Sequence, residues 1–393
     1  MLISWNIPRA LLCTIYLILS SSLYADSPYI SRVWEYQPAP GQFINLLPEW
    51  EEGDNQNLIR LKAEEAIADN QQGMISLGGF GGYVVFGFDH LVLNSGNYDF
   101  KILGNAFVAN SNPNTDRHGQ GGSAEPGVVM VSFDSNKNGK PDDEWYELAG
   151  SEYHNPLTVH NYRITYYRPL PDHVPTPDQE QKFLIDTTYI RWKDSNGTVG
   201  YIPHSSYHTQ SYWPEWIDAD SLVFTGTLLP PNAIDESGNG SYYVLYSYDY
   251  GYADNYPNAA DESNMKISWA VDKDGNPVKL PGINFVKVYT GLNQLAGWLG
   301  ETSTEIMGAE DLHPTTNLNH EQVSAIILIN SVINDKLIIS SSEARHVQVI
   351  SAAGQIMFSA NLNAGTNYIG CTCLPQGMYM LRADNETIRF IKQ

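Results

Sequence analysis

The sharpest chemical signal in the chain is Asp134-Ser135-Asn136-Lys137-Asn138-Gly139-Lys140-Pro141-Asp142-Asp143-Glu144. Oxygen-bearing side chains at the first, third and fifth places, then glycine at the sixth, repeat the first half of a calcium loop. The alternation aims oxygens inward and glycine permits the sharp bend. Asp134, Asn136 and Asn138 would be ligands, joined by the carbonyl of Lys140. Trp145 stands where a full loop places its bidentate glutamate, so Asp142, Asp143 or Glu144 must close the shell. Outside a cell, an affinity of roughly 10⁻⁴–10⁻³ M suffices for such a structural cation. The same spacing also describes a plain Asn-Gly hairpin turn between Val131 and Tyr146.

Two aromatic clusters have the chemistry to hold a sugar or small planar ligand. Tyr212, Trp213 and Trp216 lie in SYWPEW, close behind His204 and His208. That histidine pair needs a third ligand from elsewhere before it can hold a metal, and ordinary loop histidines are expected. In the second cluster Tyr248, Tyr250, Tyr252 and Tyr256 interleave with Asp249 and Asp254, ahead of Asp261 and Glu262. Tyr250 and Tyr252 would stack on the ligand while Asp254 bonds its hydroxyls. The competing view puts these tyrosines in a sheet core and the acids in solvent. Glu301, Glu305, Glu310 and Asp311 form a further group, suited to a second calcium site or an acid/base pair. Paired carboxylates cleave glycosides only at set separations across a cleft, which sequence spacing cannot give. HExxH, GxSxG, a phosphate loop and a Cys–His pair are all absent from the body, so catalysis has no positive motif.

The elements that carry these groups read as strands. The chain has 25 Tyr, 9 Trp, 32 Gly and 22 Pro in 393 residues, a balance of short β segments and tight turns. Apolar and β-branched runs recur at Tyr83–Phe88, Tyr98–Leu103, Val128–Phe133, Tyr162–Tyr167, Ser221–Thr225, Tyr242–Tyr248, Ile267–Val271 and Phe285–Tyr289. One short helix is expected, capped at Asp54, Asn55 or Asn57. Its apolar positions are Leu58, Ile59, Leu61, Ala63, Ala66 and Ile67. The pattern predicts an all-β body over residues 26–313, a sandwich or jelly roll. Proline-rich residues 169–182 form an exposed loop. After a polar joint at 314–322, residues 323–393 form a small immunoglobulin-like sandwich. Its expected strands are Lys336–Ser340, Val347–Ser351, Gln355–Phe358, Met378–Arg382 and Thr387–Ile391.

The net charge of −22 excludes the clustered basic surface that nucleic acid requires. Arg9 and the apolar stretch 10–24 predict a signal peptide ending near Ala25, shorter than the roughly 20 apolar residues of a membrane span. No later segment reaches spanning length. The mature chain keeps only Cys371 and Cys373, placed on a strand and too far apart to pair, so no disulfide framework is expected.

The tail resembles the sorting domain of proteins exported by the bacterial type IX secretion system. The matching residues are Ile333-Asn334-Asp335-Lys336-Leu337, Val347-Gln348-Val349 with Ala353-Gly354-Gln355, Leu374-Pro375-Gln376-Gly377-Met378-Tyr379, and Phe390-Ile391-Lys392. The resemblance implies delivery to the outer surface or medium of a Gram-negative bacterium, with the secretion machinery as partner. The body is similar to an uncharacterised family of bacterial cell-surface proteins, some described as PKD-domain or surface-layer-like. It matches at Pro38–Asn45 (PAPGQFIN), Gly104–Phe107 (GNAF), Glu125-Pro126-Gly127 and Gly297–Glu301 (GWLGE). Some relatives of this kind are encoded beside corrinoid transporters, which implies vitamin B12 capture as one option. The expectation is a secreted, calcium-stabilised, non-catalytic binding protein for a glycan or small extracellular ligand. A glycan-degrading enzyme, an adhesive surface protein and a corrinoid binder are the alternatives.

Overall fold

A computed structural model describes residues 27–71, 73–109, 116–314, 326–328, 332–341, 344–352, 354–383 and 386–393. The expected signal peptide and nearly all of the joint at 314–322 lie outside the described residues. The chain divides into two compact units, Met1–Thr316 and Asn317–Gln393.

The first unit is built almost wholly from antiparallel strands. Its main sheet contains β1 (Arg32–Gln37), β2 (Tyr83–Leu93), β3 (Gly127–Ser132) and β4 (Trp145–Leu148). A second sheet uses β5 (Val159–Tyr167), β6 (Leu184–Asp194), β7 (Val199–Ser205) and β8 (Ser221–Leu228). The chain then returns to the main sheet with β9 (Ala270–Val271) and β10 (Gly282–Thr290). The spatial order is β1-β2-β10-β3-β4-β9 in the first and β7-β6-β5-β8 in the second.

Register decides which residues meet, because side chains alternate across a sheet. Val33, Phe86, Val286 and Val131 lie side by side across four strands, and Tyr36, Val84, Val288 and Val129 form the parallel row. All eight are completely shielded from solvent. Helix α1 (Gln56–Ile67) adds Ile59, Ala63 and Ile67 to the same core, one residue per turn. Asn55 is the cap, its side chain accepting from the amides of Asn57 and Leu58. Leu58 and Leu61, which share the helical periodicity, stay 42% and 40% exposed. The second sheet makes its own core from Tyr162, Ile164, Tyr166, Ile190, Ile202 and Phe224, against which Tyr83 of β2 packs. This is the expected sandwich body with one helix.

Several details differ from the sequence expectation. The run at Ile267–Val271 is a 3-10 turn, Ile267–Trp269, leading into the short β9. Strands β1, β4, β6 and β7 went unmarked, and in the last two Asp186, Arg191, Lys193 and His204 break up the apolar pattern.

The second unit holds two small sheets, one of Ile326–Leu328, Lys336–Ser341 and Gly365–Gly370. The other joins Val332–Ile333, Glu386–Lys392, Gly377–Ala383, Arg345–Ser351 and Ile356–Leu362. Leu337, Ile339, Val347, Val349, Leu381 and Phe390 fill its core. Tyr379 donates its hydroxyl to the carbonyl of Pro375 at 2.9 Å and stacks on Phe390 at 5.7 Å. Those contacts account for the Pro-x-Gly-x-Tyr spacing and the terminal Phe. The strand ends at Gly370, so the two cysteines lie in a turn rather than on a strand. Cys371 is buried and Cys373 exposed, both as free thiols.

Truncating Phe86 at the centre of the buried rows should lower body stability in urea unfolding by about 3–5 kcal/mol. Leu93→Ala, at a residue 51% exposed on the same strand, should change it by less than about 0.5 kcal/mol.

Candidate functional site

The groups best placed for chemistry gather at one end of β3. Glu125 precedes that strand by two residues. Asp254 follows Tyr252–Ala253, which pairs with Val128 and Gly127. Glu305 begins a two-residue strand paired with Ile75–Ser76. Oxygens from Glu125, Asp254 and Glu305 all lie within 4.8 Å of one another, the one such metal-ligating group among the described residues.

Backbone amides hold this cluster in place. Asp254 Oδ1 accepts from the amides of Asn105 and Ala106, each at 2.8 Å, and Oδ2 accepts from the amide of Glu305 at 3.0 Å. Asp254 sits at φ 51, a left-handed conformation that aspartate tolerates. A side chain on Gly104 would collide with the Asp254 carboxylate, so glycine is required there for close approach. Ser303 donates its amide to Glu125 Oε1 at 3.2 Å, and Thr304 Oγ1 donates to the Glu125 carbonyl at 2.8 Å. Nearby, Glu301 accepts from the amide of Gln42. Glu301 Oε2 and Glu305 Oε1 are shielded from solvent and have no hydrogen-bond partner.

Above the acids lies a cavity of about 210 Å³ whose lining includes Glu125, Glu301, Glu305, Phe43, His208 and Trp298, and no Lys or Arg. Burial pushes the carboxyls of Glu125, Asp254 and Glu305 up, and for Glu125 and Glu305 repulsion between neighbouring carboxylates adds to it. Burial alone carries Glu301 to about 7. A wider hollow of about 850 Å³ adjoins and shares Tyr207 and Trp298 with the cavity. Trp298 is 48% exposed and Tyr207 63% exposed. Phe183 stacks on Tyr207 at 5.8 Å.

The sequence-assigned ligand residues fall elsewhere. Tyr212 and Trp213 are fully buried in the core of the second sheet. Tyr252 packs with Tyr248 and Tyr289 in a smaller core, and its hydroxyl accepts from the amide of Glu152. None of these three rings has a face free for a ligand, because each completes a core that the sheets need. Trp216 stacks on Tyr36 at 6.3 Å and donates Nε1 to Gln56. Tyr250 is 39% exposed and lies against Trp269. Asp254 is not a solvent-facing hydrogen-bonder but a member of the acid cluster. His204 stacks on Tyr189 at 4.4 Å, and His208 edges Phe43 at 4.7 Å.

The calcium-like loop folds as a self-satisfied turn. Asp134 Oδ1 accepts from the amide of Asn138 and Oδ2 from that of Gly139. Asn136 and Asn138 donate their side-chain amides to Asp142, and Ser135 donates to Asp143. Asp235-x-Ser237-x-Asn239-Gly240 has the same spacing and the same pattern, Asp235 Oδ2 accepting from the amide of Gly240. Asp143 keeps one shielded oxygen without a partner, yet the loop's carboxylates do not converge as the buried three do. Lys140 offers a carbonyl in an exposed turn.

A second cavity, about 440 Å³, holds Glu147, Tyr153, His160, Thr227 and Lys287. Thr227 donates to Glu147 at 2.7 Å, and no shielded side-chain atom of this cavity lacks a partner. It is satisfied as it stands, whereas the acid cavity is not.

Residues 333–393 match the family model described as secretion system C-terminal sorting domain. No curated protein matches the chain. Among solved structures, the chain is similar to the Faecalibacterium prausnitzii Beta-glucuronidase at 9% identity, covering 75% of this chain and 46% of that one, with TM-score 0.13. The chain thus spans less than half the length of that protein, and a likeness so slight carries no argument. The matched family lies wholly in the tail, so nothing in these comparisons supports the PKD-like or surface-layer-like resemblance of the body.

Burial raises Glu147 to about 7 against an ordinary carboxylate near 4.5. The folded chain therefore keeps a proton there that the unfolded chain releases, and stability falls as pH climbs from about 4.5 to about 7. Glu147→Gln should match the wild type at pH 4 and exceed it at pH 8, by up to about 3 kcal/mol. Urea titrations of both proteins across that range check the sign.

Proposed function

Since a type IX sorting tail delivers this chain to the cell surface or the medium, we propose that its body is a non-catalytic binding protein for a glycan. The observation that carries this is the pair Trp298 and Tyr207, large exposed rings at the mouth of a cavity floored by carboxyl groups. Aromatic faces stack on the C–H faces of sugar rings, and carboxylates accept hydrogen bonds from hydroxyls. The wider hollow outside, with Phe183 stacked behind Tyr207, gives room for further sugar units. These exposed rings take the role that the sequence gave to Tyr212 and Trp213.

A hydrolase is the second reading, favoured by half-buried Glu125, whose carboxyl is pushed up and faces the cavity. Against it, the unpartnered oxygens of Glu301 and Glu305 are shielded from solvent, which leaves half-buried Glu125 to meet a sugar hydroxyl without a second open carboxylate to form a catalytic pair. Binding needs only the rim.

Two experiments check this. On an array of defined oligosaccharides, with cyanocobalamin as a separate arm, the wild type should bind glycans without releasing reducing ends. Trp298→Ala should weaken that binding at least about tenfold, or about 1.4 kcal/mol, and Tyr212→Phe should leave it unchanged. Equal binding by Trp298→Ala rejects the rim, and reducing ends lost with Glu125→Gln would favour the hydrolase. Separately, a chain lacking residues 333–393 should remain inside the cell envelope, as fractionation followed by immunoblotting would read.

A further inference from the structure

We propose that Glu125, Asp254 and Glu305 bind one hard divalent cation, calcium in the extracellular medium. This goes beyond glycan capture, which depends on the aromatic rim and not on the ion. The three carboxylates are gathered in the interior with no Lys or Arg lining the adjoining cavity. Like charges so close in a shielded place must either hold protons or share a cation.

Geometry favours the cation. Calcium takes oxygen ligands at about 2.3–2.6 Å, so ligands on opposite sides of one ion stand nearly 5 Å apart. Oxygens that all lie within 4.8 Å of one another fit on that sphere. A second observation is independent of the clustering. Glu305 is 4% exposed, its carboxyl belongs to the group, and its Oε1 is shielded from solvent without a hydrogen-bond partner. A buried carboxylate oxygen without a partner costs free energy that a metal–oxygen bond would remove.

The donor set selects the metal. It contains carboxylates alone, without Cys or His, which suits hard ions and disfavours zinc and copper. Calcium accepts irregular coordination and bidentate carboxylates more readily than magnesium, which demands a near-octahedral shell. Half-buried Glu125 opens on the cavity and provides the way in. Asp254, pinned by three amides, provides the fixed wall. The Asp134 turn is a separate candidate and serves as the control.

The test uses the full chain, stripped with a chelator and then titrated with CaCl₂ or MgCl₂ alone. CaCl₂ should raise the melting temperature of the body by about 5 °C or more in the wild type. Asp134→Ala should keep the whole shift, and Glu305→Gln should lose it. In chelator, Glu305→Gln should melt at or above the wild type, because the amide is neutral without having to take up a proton. That crossing separates loss of the ion from a failure to fold. Calorimetry should count one calcium per wild-type chain. A full calcium shift in Glu305→Gln, its loss in Asp134→Ala, or no shift in any protein would overturn the assignment. Glycan binding measured in chelator stays a separate result, since it is read on Trp298.

Discussion

The feature on which the body's architecture turns is the confinement of like charges. Three carboxyl groups meet inside the protein, a fourth stands beside them, and no Lys or Arg lines the space they face. Such a group disperses unless something holds it. Here the restraint is the backbone, whose amides at Asn105, Ala106, Ser303 and Glu305 fix the carboxylates. Gln42 reaches Glu301 across 259 residues of sequence. The main sheet serves as the frame, since β3 and its neighbour Tyr252–Ala253 end at the point where Glu125 and Asp254 must meet.

Most of the fold was legible because its central strands are dense apolar runs between turn residues. The β-branched and aromatic runs Tyr83–Phe88, Val128–Phe133 and Phe285–Tyr289 mark strands that turn out to be neighbours. In the helix, periodicity alone could not say which stripe is inward. Ile59, Ala63 and Ile67 face the sheet while Leu58 and Leu61 do not, a choice made by tertiary packing. The tail was readable for a different reason. Its spacing reflects specific contacts, Tyr379 bonding Pro375 and stacking on Phe390.

The site was less legible, and the reasons are physical. An aromatic cluster in sequence does not reveal whether its rings face solvent, and Tyr212, Trp213 and Tyr252 are core. The spacing of Asp134 to Gly139 suits a cation and a hairpin turn equally, since both ask a carboxylate to curl back on amides. Its twin at Asp235 to Gly240 shows how well the turn alone explains the pattern. The signal that pointed to the buried acid cluster was present but scattered. Four segments singled out for resemblance, PAPGQFIN, GNAF, EPG and GWLGE, supply Gln42, Asn105, Ala106, Glu125, Trp298 and Glu301 to one place. Only the folded chain brings them together.

The bond between Gln42 and Glu301 joins the two extremities of the body. Chains whose decisive contacts are this remote close them late and fold slowly. Fraying inward from the C-terminal side of the body would therefore breach the acidic interior before it reached Val286 and Val288, whereas fraying from the N-terminal side would take Val33 and Tyr36 first. The clasp makes the integrity of the termini a condition for keeping water out of the site.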